Sequence, residues 1–108
     1  MSQLQTNYED GWAPIPFWVL RNHCFESLEQ ISLYVAIAEK RNTYGYCHPT
    51  ISLLAHDARC SQSTVRKNLK RFEEIGLIEI RRRTLANGSN LPNEYYVPLF
   101  PTIEQKGL

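Results

Sequence analysis

Long hydrophobic runs are missing from this 108-residue sequence, and nothing in it approaches the ~18 consecutive apolar residues of a membrane span. A membrane partner is therefore not expected. The opening stretch from Met1 to Asp10 lacks the basic-then-apolar order of a signal peptide, being polar and acidic, so a cytoplasmic location is expected. Cysteine is too sparse for a scaffold. Cys24, Cys47 and Cys60 are odd in number, widely spaced and contain no Cys-x-x-Cys pair, which argues against a disulfide framework and reads as buried thiols. A glycine-rich phosphate loop and paired catalytic carboxylates are also lacking, and His23-Cys24 and Cys47-His48 are adjacent pairs rather than a base set against a nucleophile. No enzyme is expected. Cys47-His48 with His56 and Cys60 has a spacing a metal could use, but His56 reads as solvated and Cys60 as a small core residue, so no metal or other cofactor is expected.

What the sequence does have is an uneven distribution of charge. The formal net charge is only +1, yet the segment from Arg59 to Arg83 carries eight basic and three acidic residues, and the remainder four basic and eight acidic. A basic part at +5 beside an acidic part at −4 suits a molecule that meets a polyanion with one side. The length suits one domain, large enough to bury a core without disulfides or metal.

Along the chain, Pro14 and Pro16 punctuate the apolar stretch Trp12 to Leu20 and predict an extended edge segment. Leu28, Ile31, Tyr34, Val35 and Ala38 recur at helical spacing and predict a helix from about Ser27 to Arg41 with that stripe inward. A turn at 42–46 leads to a short extended Tyr46-Cys47-His48. Thr50 then caps a short helix whose buried stripe is Ile51, Leu54, Ala55 and Ala58. Ser61 caps a third helix, with Val65, Leu69 and Phe72 on one side, and Gly76 ends it in a Schellman cap that brings Leu77 to Phe72. Beyond Gly76 the period falls to two: Ile78 and Ile80 alternate with Glu79, Arg81 and Arg83 in a half-buried strand. A turn-rich loop over 86–93 and a return strand over Glu94 to Val97 complete a hairpin.

With Val65, Leu69 and Phe72 inward, the outward arc of the third helix holds Ser63, Arg66, Lys67 and Lys70, with Gln62 at its N-terminal edge, and Gln62, Ser63, Arg66 and Lys67 are the candidates to read base edges in a major groove. Its first turn also has free backbone N–H groups that favour a phosphate. Thr50, Thr64, Lys70, Arg81, Arg82 and Arg83 are the candidate phosphate ligands, and Asn87, Gly88, Ser89 and Asn90 form the tip of the hairpin.

Helix, short strand, helix, helix, hairpin is a winged-helix order. Pro49-Thr50, Leu54-Ala55, Ser61, Thr64-Val65, Leu69, Glu73, Gly76-Leu77-Ile78 and Asn93-Glu94-Tyr95 resemble the winged helix-turn-helix family of bacterial, plasmid and phage replication or regulatory proteins. The Pro14–Leu20 segment and the helix around Tyr34 are similar to that family's N-terminal part. The resemblance spans roughly residues 14 to 97. It departs at Arg59, where related turns have glycine and where a positive φ would strain arginine by ~1 kcal/mol.

The resemblance implies an α+β, mainly α fold: three helices with a C-terminal β-hairpin wing, over residues 12–100, between a flexible N-terminus at 1–11 and a flexible tail at 101–108. It implies sequence-selective binding of double-stranded DNA by a small transcriptional repressor or replication-control factor of a phage, plasmid or bacterium. The chain ends soon after the wing, so a compact regulator acting as a homodimer is expected, without a sensing or catalytic domain. The alternative is a winged helix that docks on a replication or transcription protein of a phage or plasmid assembly. Trp12, Phe17, Trp18, Tyr96, Leu99 and Phe100 are expected mostly in the core, with an interface as their second use.

Overall fold

The structure is a computed structural model and describes residues 15–88 and 90–102. Its elements are α1 (Phe17–Leu20), α2 (Leu28–Ala38), β1 (Tyr46–Cys47), α3 (Ile51–Ala58), α4 (Gln62–Glu74), β2 (Glu79–Thr84) and β3 (Asn90–Tyr96). The strands form one antiparallel sheet in the order β1-β3-β2. This is the mainly helical α+β architecture of a winged helix-turn-helix, with one short helix more than the sequence suggested.

That extra helix corrects the extended segment expected over Trp12–Leu20, of which Trp12 to Pro14 lie outside the described residues. Pro16 lacks an N–H, but the first position before a helix needs none, and its carbonyl accepts from Val19 N at 3.1 Å to close the turn. The single turn sends Val19 into the core and leaves Phe17 76% and Trp18 44% exposed.

In α2 the cap is Ser27, whose Oγ accepts from Gln30 N at 3.2 Å. The buried face differs from the expected stripe. Leu33, Tyr34, Ala36, Ile37, Ala38 and the polar Gln30 are inward, whereas Leu28 is 84% exposed and Val35 lies outward as well. The sequence LEQISLYVAIA is apolar nearly all round, so its period fixes a helix without fixing which side packs. The helix also stops at Ala38, short of Arg41; Lys40 lies past the end and returns its Nζ to the Ala36 carbonyl at 3.1 Å.

The helical core is centred on Phe25, Tyr34 and Phe72, whose rings meet at 5.5 to 6.3 Å, two of the three pairs edge to face. Leu33, Ile37, Leu54, Val65 and Leu77 close around them from α2, α3, α4 and the strand entry, and Tyr95 and Val97 cover the sheet side. Each such side chain contributes ~1.5–3 kcal/mol on burial. The expectation that Trp12, Phe17, Trp18, Tyr96, Leu99 and Phe100 mostly fill this core is corrected: Phe17, Trp18, Leu99 and Phe100 are all exposed, Phe100 at 71%, Tyr96 is half-buried in a ring contact with Tyr46 at 4.9 Å, and Trp12 lies outside the described residues.

The hairpin is longer than its turn residues suggested. β3 starts at Asn90, so the loop expected over 86–93 shrinks to a short connection from Leu85, within which Ser89 lies outside the described residues. Pro92 is tolerated in the strand because the register shifts there: Arg81 faces Glu94 but Arg83 faces Leu91, leaving one extra residue on β3. A residue without an N–H costs no ladder bond at such a bulge. At the far end, Pro101 is buried, and a Cβ on Gly76 would come within 2.6 Å of the Thr102 carbonyl, so the chain stays packed past the Phe100 boundary of the expected domain.

Candidate nucleic-acid interface

Three caps fix the helix-turn-helix. Thr50 Oγ1 accepts from Leu53 N at 3.0 Å at the start of α3, and Ser61 Oγ accepts from Thr64 N at 3.1 Å at the start of α4. At the end of α4 the Leu77 N–H reaches the Phe72 carbonyl at 2.9 Å and the Gly76 N–H reaches Glu73 at 3.2 Å, a Schellman motif closed by Gly76 at φ +83°.

The same motif ends α3, but on arginine. Cys60 N donates to Ala55 O at 3.1 Å and Arg59 N to His56 O at 3.3 Å, with Arg59 at φ 60°, ψ 46°. It is the one described non-glycine residue at positive φ. The departure noted in the sequence thus coincides with a left-handed backbone. The turn keeps its shape with arginine in it, at the strain cost of a side chain where glycine would be relaxed.

On α4, Val65, Leu69 and Phe72 are inward as the sequence indicates, and Gln62, Ser63, Arg66, Lys67 and Lys70 are exposed. Among the described residues Lys67 and Lys70 have no hydrogen-bond or ionic partner, and Arg66 makes only a long contact to Gln62 Oε1 at 3.5 Å. A block of unneutralised positive charge therefore lies beside the capped N-terminus of the helix. Thr64 is less available: it is half-buried, and its hydroxyl accepts from Ser61 Oγ at 2.8 Å. Thr50 is exposed at the start of α3, where the first turn is still open to an anion.

The hairpin arginines differ. Arg81 pairs with Glu94 at 3.0 Å and lies over the Tyr46 ring at 5.8 Å. Arg82 forks onto Glu73 of α4, at 3.3 and 3.4 Å, and that hydrogen-bonded carboxylate raises the guanidinium pKa further. Arg83 gives two N–H bonds to the Pro92 carbonyl, 3.0 and 2.9 Å. All three are at the rim of the hairpin, with Arg81 and Arg82 well exposed. Asn87 and Gly88 are exposed at the tip; Asn90 belongs to β3.

Sequence reasoning missed Asn68. It is buried on α4 and accepts from Gln30 Nε2 of α2 at 3.1 Å, and the two are the buried polar side chains of the described core. A signal was present, since Asn68 stands three residues after Val65 and four before Phe72, squarely on the inward stripe.

The residues with a metal-like spacing are not gathered. Cys47 is buried, its thiol pushed up to about 11 by that burial and its Sγ donating to the Ile37 carbonyl at 3.7 Å, whereas His48 and His56 are exposed. No group of three or more histidine, cysteine or acidic side chains among the described residues could hold a metal ion, and no described helix is long and apolar enough to cross a membrane.

No curated protein and no solved structure matches the chain. A family model does: the helix-turn-helix domain matches residues 22–78, from the approach to α2 through the Gly76 stop, and leaves the hairpin outside. That match covers more than half of the chain and contains the capped α3-turn-α4 unit with its exposed basic face. The chain therefore belongs to the helix-turn-helix domain family, a family of DNA-binding modules.

Proposed function

We propose that the protein binds double-stranded DNA sequence-selectively, with α4 in the major groove and the hairpin as a wing on the flanking backbone. The observation that carries this reading is the exposed arc of α4 bearing Gln62, Ser63, Arg66 and Lys67 for base edges, its cations without an acidic partner among the described residues. Lys70 and Thr50 flank that arc as phosphate ligands, with Thr64 at its cap. Arg81, Arg82 and Arg83 serve the same purpose from the wing, whose tip carries Asn87 and Gly88. The biological use is regulation of transcription as a repressor, or control of replication, in a phage, plasmid or bacterium. Two copies acting on inverted half-sites would give each half-site one α4.

Selection from a random duplex pool is the decisive experiment. An enriched motif, repeated in inverted orientation at about one helical turn, supports both the reading and the homodimer. With about six phosphates neutralised, log K falls against log salt with a slope near −5. An unenriched pool and a flat salt response remove DNA binding.

The second reading is an interaction module docking on a replication or transcription protein. It is favoured by the exposed Phe17, Leu28 and Phe100, and by an open groove of about 610 Å³ behind the wing, lined by Glu73, Ile78, Ile80, Tyr96, Phe100 and Pro101. Its mark is an unenriched pool together with a saturable protein partner.

A further inference from the structure

The reading face of α4 is useful only if the helix is held at one rotation about its axis. A rotation of about 20° moves a side-chain tip ~5–6 Å from the axis by roughly 2 Å, which is enough to break a base contact that tolerates a few tenths of an ångström. The apolar contacts of Val65, Leu69 and Phe72 are non-directional and leave such a rotation soft. Hydrogen bonds are directional.

We propose that Gln30 and Asn68 are positioning residues for base selection, a buried polar pair that sets the rotation of α4. This rests on the reading of α4 as the DNA-contacting helix. At 100° per residue Asn68 lies nearly opposite the centre of the arc formed by Gln62, Ser63, Arg66, Lys67 and Lys70, so a restraint there acts on the whole reading face. Its partner is itself immobilised. Gln30 donates its backbone N–H to Ser27 Oγ, accepts from Glu26 N on Oε1 at 2.8 Å, and gives Nε2 to Asn68 Oδ1 at 3.1 Å with a longer contact to Glu26 Oε1 at 3.4 Å. The donor aimed at α4 is thereby fixed to the N-terminus of α2.

A second tie lies one turn further along the same helix. Arg71 stands beside Glu26 as an ion pair, Nε to Oε1 at 3.1 Å without hydrogen-bond geometry, and donates from a terminal nitrogen to the Cys24 carbonyl at 3.4 Å. Glu26 joins the two ties, since the same oxygen contacts Gln30 and Arg71. Asn68 and Arg71 stand three residues apart on α4, the first held by Gln30 in the first turn of α2 and the second by Glu26 and Cys24 just before that helix, so the two contacts bear on axial position as well as rotation. An apolar pair of similar volume could replace Gln30 and Asn68 at little cost in stability, because both polar groups would leave the core together. What it could not replace is the direction.

The test is the double variant Gln30→Met/Asn68→Leu in the full chain, measured against the duplex selected by the wild type and against a scrambled duplex. The expected result is an unchanged affinity and salt slope for the scrambled duplex, with the specific-to-scrambled ratio down roughly tenfold. A folded double variant with the wild-type ratio overturns the positioning role while leaving the DNA reading intact. A wild type that enriches no motif overturns both, so the two failures are distinct. Should the double variant not fold, Asn68→Ser supplies the same measurement: its hydroxyl remains an acceptor but is too short for the Gln30 amide in place. A smaller drop in the ratio is expected from it, and an unchanged ratio again overturns the proposal.

Discussion

The basic residues of α4 and those of the wing carry the same charge in different states. Arg66, Lys67 and Lys70 project from α4 with no acidic partner among the described residues, whereas Arg81 and Arg82 are paired with Glu94 and Glu73, and Arg83 is spent on the Pro92 carbonyl. Free charge can meet DNA without losing a contact. Paired charge must exchange a carboxylate for a phosphate, so its gain is the difference between two similar interactions. Exposed ion pairs contribute little to stability, which keeps that exchange cheap. On the proposed DNA-binding reading, helix and wing would divide the work: α4 would supply selectivity and most of the salt-dependent attraction, and the wing a smaller, sequence-blind increment.

The largest expected effect tests the helix side of the comparison. Arg66→Ala or Lys67→Ala should cost about 1–3 kcal/mol on the selected duplex and relax preference at the base pair contacted, with much less change on a scrambled one. Anisotropy titrations on both duplexes check this. An equal loss on both would move these side chains from bases to phosphates.

The wing should respond in the opposite pattern and by less. Arg82→Ala is expected to weaken every duplex alike, by a few-fold, and to make the salt slope shallower by about 1. Glu73→Gln removes the competing carboxylate and its charge, so affinity for any duplex should rise a few-fold at low salt. The comparison breaks if Glu73→Gln lowers affinity, because the fork would then be holding the wing in place rather than withholding its arginine.

Much of this arrangement was legible in the sequence where the signal is local. Thr50, Ser61 and Gly76 each act on their own backbone within a few residues, and each stands where its residue type indicates. The left-handed turn at Arg59 was legible as a departure from glycine. Phase and pairing were not. Which side of α2 packs depends on neighbours from α3 and α4, and with apolar residues nearly all round, Leu28 and Val35 were as eligible for the core as Leu33 and Ile37. Pro92 signals a strand end until a register shift absorbs it. The acids that hold Arg81 and Arg82 are 13 and 9 residues away in sequence, and no local pattern announces them.

Arg59 sharpens the comparison from the stability side. It is a cation with no partner among the described residues, like those of α4, but it sits in a turn where its backbone is strained. Arg59→Gly should stabilise the fold by no more than ~0.5 kcal/mol, the ~1 kcal/mol relief of the left-handed conformation less the extra entropy of a glycine in the unfolded chain. A urea midpoint shift at constant slope measures it. Unchanged DNA affinity in the same variant places Arg59 outside the contacting set; a clear loss adds it to the free cations of the helix.

The smallest effect comes from an ion pair far from the reading face. Lys40 bonds Asp57, tying the end of α2 to α3, and that hydrogen bond holds the Asp57 carboxyl below its ordinary pKa. On Lys40, burial works to lower the pKa, but the bonds to Asp57 and Glu39 outweigh it and raise the pKa above the ordinary lysine value. A depressed folded-state carboxyl binds its proton later than the unfolded chain does. Its stabilisation is therefore complete above the ordinary aspartate range near pH ~4 and is lost as pH falls through the lower folded value. Asp57→Asn should accordingly be slightly less stable than the wild type at neutral pH, with the gap closing below about pH 4 in acid titrations followed by circular dichroism. Duplex affinity should not move. If it does, the paired charges behind the turn shape the α3-α4 angle, and the division between a free helix and a paired wing extends into the scaffold that carries both.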